Sequence, residues 1–97
     1  MKIVYDPKAV AQLDAIFSYL EQRSPRGAGN VAAQIKRNIE QLASLPLSGR
    51  KSQIDGIREL PIVRYPYIVF YAVNEAAQEV NILRIRHTSR DPEHHLD

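Results

Sequence analysis

Arg84, Arg86, His87 and Arg90 crowd into the short run Arg84-Ile85-Arg86-His87-Thr88-Ser89-Arg90. Guanidinium groups clamp phosphate or carboxylate through paired N–H donors, and an imidazole moves protons near neutral pH. Arg58 and Glu59, in Gly56-Ile57-Arg58-Glu59-Leu60-Pro61, add a cation and a carboxylate, with Lys51 and Arg64 near them in the chain. For transfer at phosphate, His87 or Glu59 would serve as base, and Arg58, Arg84 and Arg86 would hold the developing charge. Without catalysis, Arg58, Arg84, Arg86, His87 and Arg90 would grip an acidic partner. Each residue also has a structural use. Arg58 can fasten a sheet end through Glu59 or Asp91, and His87 can bond nearby backbone; exposed pairs of that kind contribute little.

Other chemistries lack their parts. His87, His94 and His95 do not make a metal site, because two of them fall in a polar tail without fixed geometry. There is no cysteine, so no disulfide framework exists, which suits a reducing cytoplasm. No serine has a recognisable nucleophile setting, and no glycine-rich loop follows a strand to cradle phosphate. No cofactor is expected. Tyr65, Tyr67 and Tyr71 could stack bases, but period-two spacing is ordinary strand packing. The formal charge of +2 is small for unaided nucleic-acid binding. Between Arg50 and Arg90, however, seven basic residues (Arg50, Lys51, Arg58, Arg64, Arg84, Arg86, Arg90) face four acids (Asp55, Glu59, Glu75, Glu79).

The elements that must hold these residues are legible. Apolar runs from Ile57 to Leu60, Tyr65 to Val73 and Val80 to Ile85 read as three strands joined by short polar connections, hence an antiparallel sheet. Upstream, Lys2 to Tyr5 is a short strand whose place in the sheet is open. Asp6-Pro7 opens a helix, with Tyr5 and Val10 at staple spacing and a stripe of Val10, Leu13, Ile16, Phe17 and Leu20. Ser24-Pro25 ends it and opens a second helix with Val31, Ile35, Ile39 and Leu42, stopped by Pro46. Leu47 to Gly56 reads as a loop, and about 88–97 as a loose tail. At 97 residues, with 44% hydrophobic and 25% charged residues, the chain is one domain, 1–97, with no run long enough to span a membrane.

The predicted fold is therefore α+β, β-α-α-β-β-β, with a helical hairpin on one face of a small, mainly antiparallel sheet. Strict alternation along the last strand sends Leu83 and Ile85 toward the helices and Arg84 and Arg86 to the open face, together with Val80 and Ile82. Val69, Tyr71 and Val73 of the preceding strand are assigned to that same face. The expectation is an apolar strip rimmed by arginines, the pattern of a protein-binding groove.

Gly56-Ile57-Arg58-Glu59-Leu60-Pro61, Arg64-Tyr65-Pro66-Tyr67-Ile68-Val69-Phe70-Tyr71 and Ile82-Leu83-Arg84-Ile85-Arg86-His87-Thr88-Ser89-Arg90-Asp91-Pro92 together resemble the RelE/ParE toxins of bacterial type II toxin–antitoxin systems, and the ParE branch more than the RelE branch. The resemblance covers nearly the whole chain. It implies a cytoplasmic toxin neutralised by a cognate antitoxin, whose seat would be the strip Val69, Tyr71, Val73, Val80 and Ile82. It also implies DNA gyrase as target, with DNA met only through the antitoxin, and no catalytic residue. RelE-type toxins instead cleave messenger RNA on the ribosome, for which His87, Arg58 and Arg86 would be the catalytic set. They carry several cations and a tyrosine or histidine just past the last strand, where Thr88-Ser89-Arg90 stands here, and the loop before Arg58 offers only Arg50 and Lys51. A relative that binds an antitoxin-like partner and poisons nothing is the third possibility.

Overall fold

The computed structural model describes residues 1–88. Asp6 accepts a hydrogen bond from the Lys8 amide (2.8 Å) and Pro7 fills the first position of α1 (Pro7–Glu21). Ser24 accepts from the Gly27 amide (3.1 Å) and Pro25 fills the same position of α2 (Pro25–Glu40). Both caps satisfy amides that a helix leaves bare. A single 3-10 turn, Gln41–Ala43, prolongs α2 and buries Leu42 before Pro46 diverts the chain.

α2 buries Ala28, Val31, Ile35, Asn38 and Ile39 on one stripe. α1 sits more shallowly: Ala9 is its fully buried residue, while Leu13, Ile16 and Leu20 pack half-exposed against the core. Val10, expected on the inner stripe, is 43% exposed. The helix entered from Asp6 turns Ala9 inward and carries its neighbour to water.

The strands are β1 (Lys2–Tyr5), β2 (Arg50–Lys51), β3 (Arg58–Pro61), β4 (Tyr67–Asn74) and β5 (Glu79–His87). They form one sheet in the order β1-β5-β4-β3-β2, antiparallel except for β1, which runs parallel to β5. The first strand thus closes the sheet beside the last. β2 lies inside the segment expected to be a loop. It is two residues of Arg and Lys with no apolar alternation to announce it.

The face assignment of β5 is corrected by a bulge. Phe70 pairs with Arg84 but Tyr71 pairs with Ile82, so Leu83 is an extra residue on β5. An inserted residue resets alternation on either side of itself. Val80 and Ile82 before it, and Ile85 after it, therefore share the helix side. They pack with Val31, Ile35, Ile39, Val69 and Tyr71 in one core. Arg84 and Arg86 stay on the helix-free side, as the sequence indicates, opposite Phe70 and Ile68.

Candidate functional site

That reassignment removes the open strip. Val69, Tyr71, Val80 and Ile82 are each 0% exposed, and Val73 is half-buried against the same core. Their side chains are sealed beneath the helical hairpin, so four of the five residues expected to seat a partner are core. The error was one of parity. β4 is apolar on both faces, and the residue that decides between them is the inserted Leu83.

The helix-free face carries the charged groups. Residues paired across an antiparallel ladder point to the same side, so Arg50, Glu59, Phe70 and Arg84 form one row across four strands. Pro61, Ile68 and Arg86 form the next. Arg50 Nε donates to Glu59 Oε1 at 2.8 Å, with the Glu59 side chain 11% exposed and that of Arg50 60%. Arg84 is drawn inward: Nη1 donates to the Leu83 carbonyl (2.6 Å) and lies 3.7 Å from Asp6 Oδ1 at the cap of α1. Ile68 and Phe70, in the same rows, are 3% and 1% exposed.

Arg58 does not join them. It pairs with Tyr71 on the helix side, and its Nη1 donates to the Gly49 carbonyl (2.8 Å). The Tyr71 hydroxyl completes this anchor, accepting from the Gly49 amide (2.9 Å) and donating to the Pro46 carbonyl (2.8 Å). Burial pushes the Tyr71 phenol above its ordinary range, opposed by the Gly49 amide and the Arg58 guanidinium. Three bonds to the backbone thus fix the chain that carries Arg50 and Lys51 into β2. Gly49 is required here: a Cβ would meet the Tyr71 hydroxyl at 2.6 Å and the Glu59 carbonyl at 2.7 Å. A buried tyrosine in an apolar strand signals that its hydroxyl has a partner, but sequence does not say which.

His87 pairs with Tyr67, ring edge to face, with centroids 5.2 Å apart and planes at 88°. The structure therefore brings Arg84 and Arg86 together with Glu59 and Arg50, and places Arg58 and His87 on the other side of the ladder. Arg90 lies outside the described residues, as do His94 and His95 and all of the expected tail except Thr88. Thr88 is pinned, its amide donating to the Pro66 carbonyl at 2.8 Å. Among the described residues no cluster of histidines and carboxylates could hold a metal, and no helix is long and apolar enough to cross a membrane.

One depression of about 500 Å³ opens at the sheet margin, lined by Leu47, Lys51, Ile54, Arg58, Val73 and Glu75 among others. Leu47 and Ile54 are 57% and 44% exposed. Lys51 and Arg58 stand in its lining beside the carboxylates of Asp55 and Glu75, so the depression pairs exposed apolar side chains with both signs of charge rather than with an arginine rim. Of the five strip residues, Val73 lines it.

Residues 3–92 match the family described as "ParE toxin of type II toxin-antitoxin system, parDE". "Toxin RelE2" of Caulobacter vibrioides is 37% identical over 89 residues, spanning 92% of this chain and 97% of that protein. "Putative toxin Y4kP" of Sinorhizobium fredii is 35% identical over 86 residues, spanning 89% and 86%. Among solved structures, the chromosomal ParDE system from P. aeruginosa superposes with a TM-score of 0.79 at 29% identity, covering 90% of this chain and 95% of that one. The RelBE2 toxin–antitoxin complex of Mycobacterium tuberculosis shares the fold, with a TM-score of 0.61 at 20% identity over 89% and 88%.

Proposed function

This chain belongs to the ParE toxin family of type II toxin–antitoxin systems, and from that premise we propose that it arrests growth by binding a protein target, DNA gyrase, and is silenced by a cognate antitoxin. The observation that carries this reading is the division of the ribonuclease set. Transfer at phosphate needs a base within hydrogen-bond reach of the hydroxyl that the cations serve. Arg58 and His87 lie on one side of the β-ladder and Arg86 on the other. Glu59, which does share the Arg86 face, spends its carboxylate on Arg50. That separation supports a surface that holds anions over one that transfers a proton.

Inducing the protein without its antitoxin tests the reading. Filamentation with a DNA-damage response is expected. Prompt loss of translation with cut messages would establish ribonuclease action instead, and unaffected growth would refute both. Arg86→Ala is expected to abolish arrest while the antitoxin still binds.

The antitoxin seat is reassigned to the depression at the β2–β3 margin. Ile54 and Leu47 would accept apolar side chains of the antitoxin, Lys51 a carboxylate, and Asp55 and Glu75 its cations. Ile54→Asp is expected to release the antitoxin and leave toxicity in place, read by co-purification and growth. Release of nothing would place the antitoxin elsewhere.

A further inference from the structure

Two described residues other than glycine have a left-handed backbone, Arg64 (φ 76°) and Gln78 (φ 56°). Side chains beyond glycine and asparagine pay a steric cost there, so each invites a reason. Gln78 supplies its own: its Nε2 donates to the Glu75 carbonyl (2.8 Å) and closes the β4–β5 turn. Arg64 supplies none of that kind. It is exposed at the apex of the β3–β4 turn, and among the described residues its guanidinium makes no hydrogen bond or ion pair.

The turn around it is held from several sides. Ile62 donates to the Tyr67 carbonyl (2.9 Å), Tyr67 to that of Tyr65 (2.8 Å) and Thr88 to that of Pro66 (2.8 Å). From behind, Asn38 of α2, 7% exposed, accepts the Val63 amide (3.3 Å) and the Gln34 side chain (3.2 Å). A buried polar side chain is thus committed to holding this apex, which presents Val63, 55% exposed, and the strained arginine. Where a left-handed residue serves only to reverse the chain, glycine or asparagine fills it at the least steric cost. Strain kept where surrounding structure enforces it marks a site of use.

We propose that the Val63–Arg64 apex is a contact element for the protein's target, Arg64 meeting a carboxylate on an acidic protein surface and Val63 burying beside it. The proposal rests on the toxin reading above and adds to it a second point of attachment, distinct from the Arg84 and Arg86 rows. The partner is protein because the apex offers a single cation with an apolar neighbour. A phosphate backbone is gripped by several cations and leaves Val63 without a role.

The test compares Arg64→Gly, Arg64→Asn and Val63→Ser with Arg26→Asn, which removes an exposed cation from the first turn of α2. Thermal melting is read first. Glycine and asparagine accept the left-handed backbone, so both Arg64 variants are expected to melt at or above wild type; a lower melting point would overturn the assignment of strain. The protein dose that half-arrests growth is read next. Both Arg64 variants are expected to need about tenfold more protein, the effect of one lost charged contact, Val63→Ser several-fold more, and Arg26→Asn no more. Arrest at the wild-type dose by either Arg64 variant, or an equal loss from Arg26→Asn, sinks the proposal. Arrest at the wild-type dose by Val63→Ser, with both Arg64 variants impaired, means the partner is phosphate and overturns the protein assignment. A wild-type protein that arrests nothing refutes the toxin reading before any variant is made, and takes this proposal with it.

Discussion

On one side of the sheet Val69, Tyr71, Val80, Ile82 and Ile85 are closed off by the two helices; on the other, Arg50, Glu59, Arg84 and Arg86 stand around Ile68 and Phe70. β4 and β5 contribute to both, and β2 and β3 add Arg50 and Glu59 to the second. The first side is where the fold gets its stability, since apolar area removed from water is the dominant favourable contribution. The second sets its cations in rows, the Arg50 side chain 60% exposed and that of Arg84 14%. Polar groups on the helix side, Arg58 and the Tyr71 hydroxyl, are found at its margin, spent on the backbone of Pro46 and Gly49. The contrast teaches that, for this chain, arginine count says less about function than the side of the ladder each arginine occupies.

Four substitutions probe that contrast, in descending order of effect. Ile82→Ala empties part of the closed side and is expected to cost about 2–5 kcal/mol by denaturant titration. A loss of the same size from Arg86→Ala would erase the distinction between the faces. Gly49→Ala forces a methyl against the Tyr71 hydroxyl and the Glu59 carbonyl; it is expected to cost about 1–3 kcal/mol, with β2 amides losing protection from hydrogen exchange.

Tyr71→Phe leaves the core filled but strands the Gly49 amide, at a cost of about 1–2 kcal/mol. It also carries a pH signature. The Tyr71 phenol is raised in the folded state, so its contribution is fully present below about pH 10, the unfolded value, and is lost as pH climbs further. Tyr5, raised by its own burial and then by Glu40, acts in the same direction. Tyr71→Phe is expected to flatten the alkaline loss in part and leave the share due to Tyr5. Arg50→Ala is the smallest: its pair with Glu59 is more than half exposed on the arginine side, so about 0.5 kcal/mol is expected, shrinking in high salt.

Much of this fold could be read ahead of the coordinates, and the reasons are local. Asp6-Pro7 and Ser24-Pro25 each state a cap and a first helical residue in adjacent letters. Polar gaps between β-branched runs state the hairpins. The misreadings share a cause too, because they depend on pairing between distant residues. Ile82-Leu83 carries no glycine to announce a bulge, and β4, apolar on both parities, fits either face equally well. Arg50-Lys51 is a strand through its pairing with Glu59 and Arg58, next to a Gly49 that Tyr71 and Arg58 hold in place. The cations of the candidate site were visible as a cluster in sequence. Their separation onto two sides was not, since one inserted residue on β5 governs it.

β5 lies between β1 and β4 although it is synthesised after both. While it is still inside the ribosome, β1 has no neighbour to pair with and β4 is bare along one edge. Pairings between residues so far apart in the chain form late, so the nascent polypeptide holds two helices and a hairpin without a finished interior. A chain ending before Glu79 lacks the strand that joins β1 to β4, and is expected to show no cooperative melting transition.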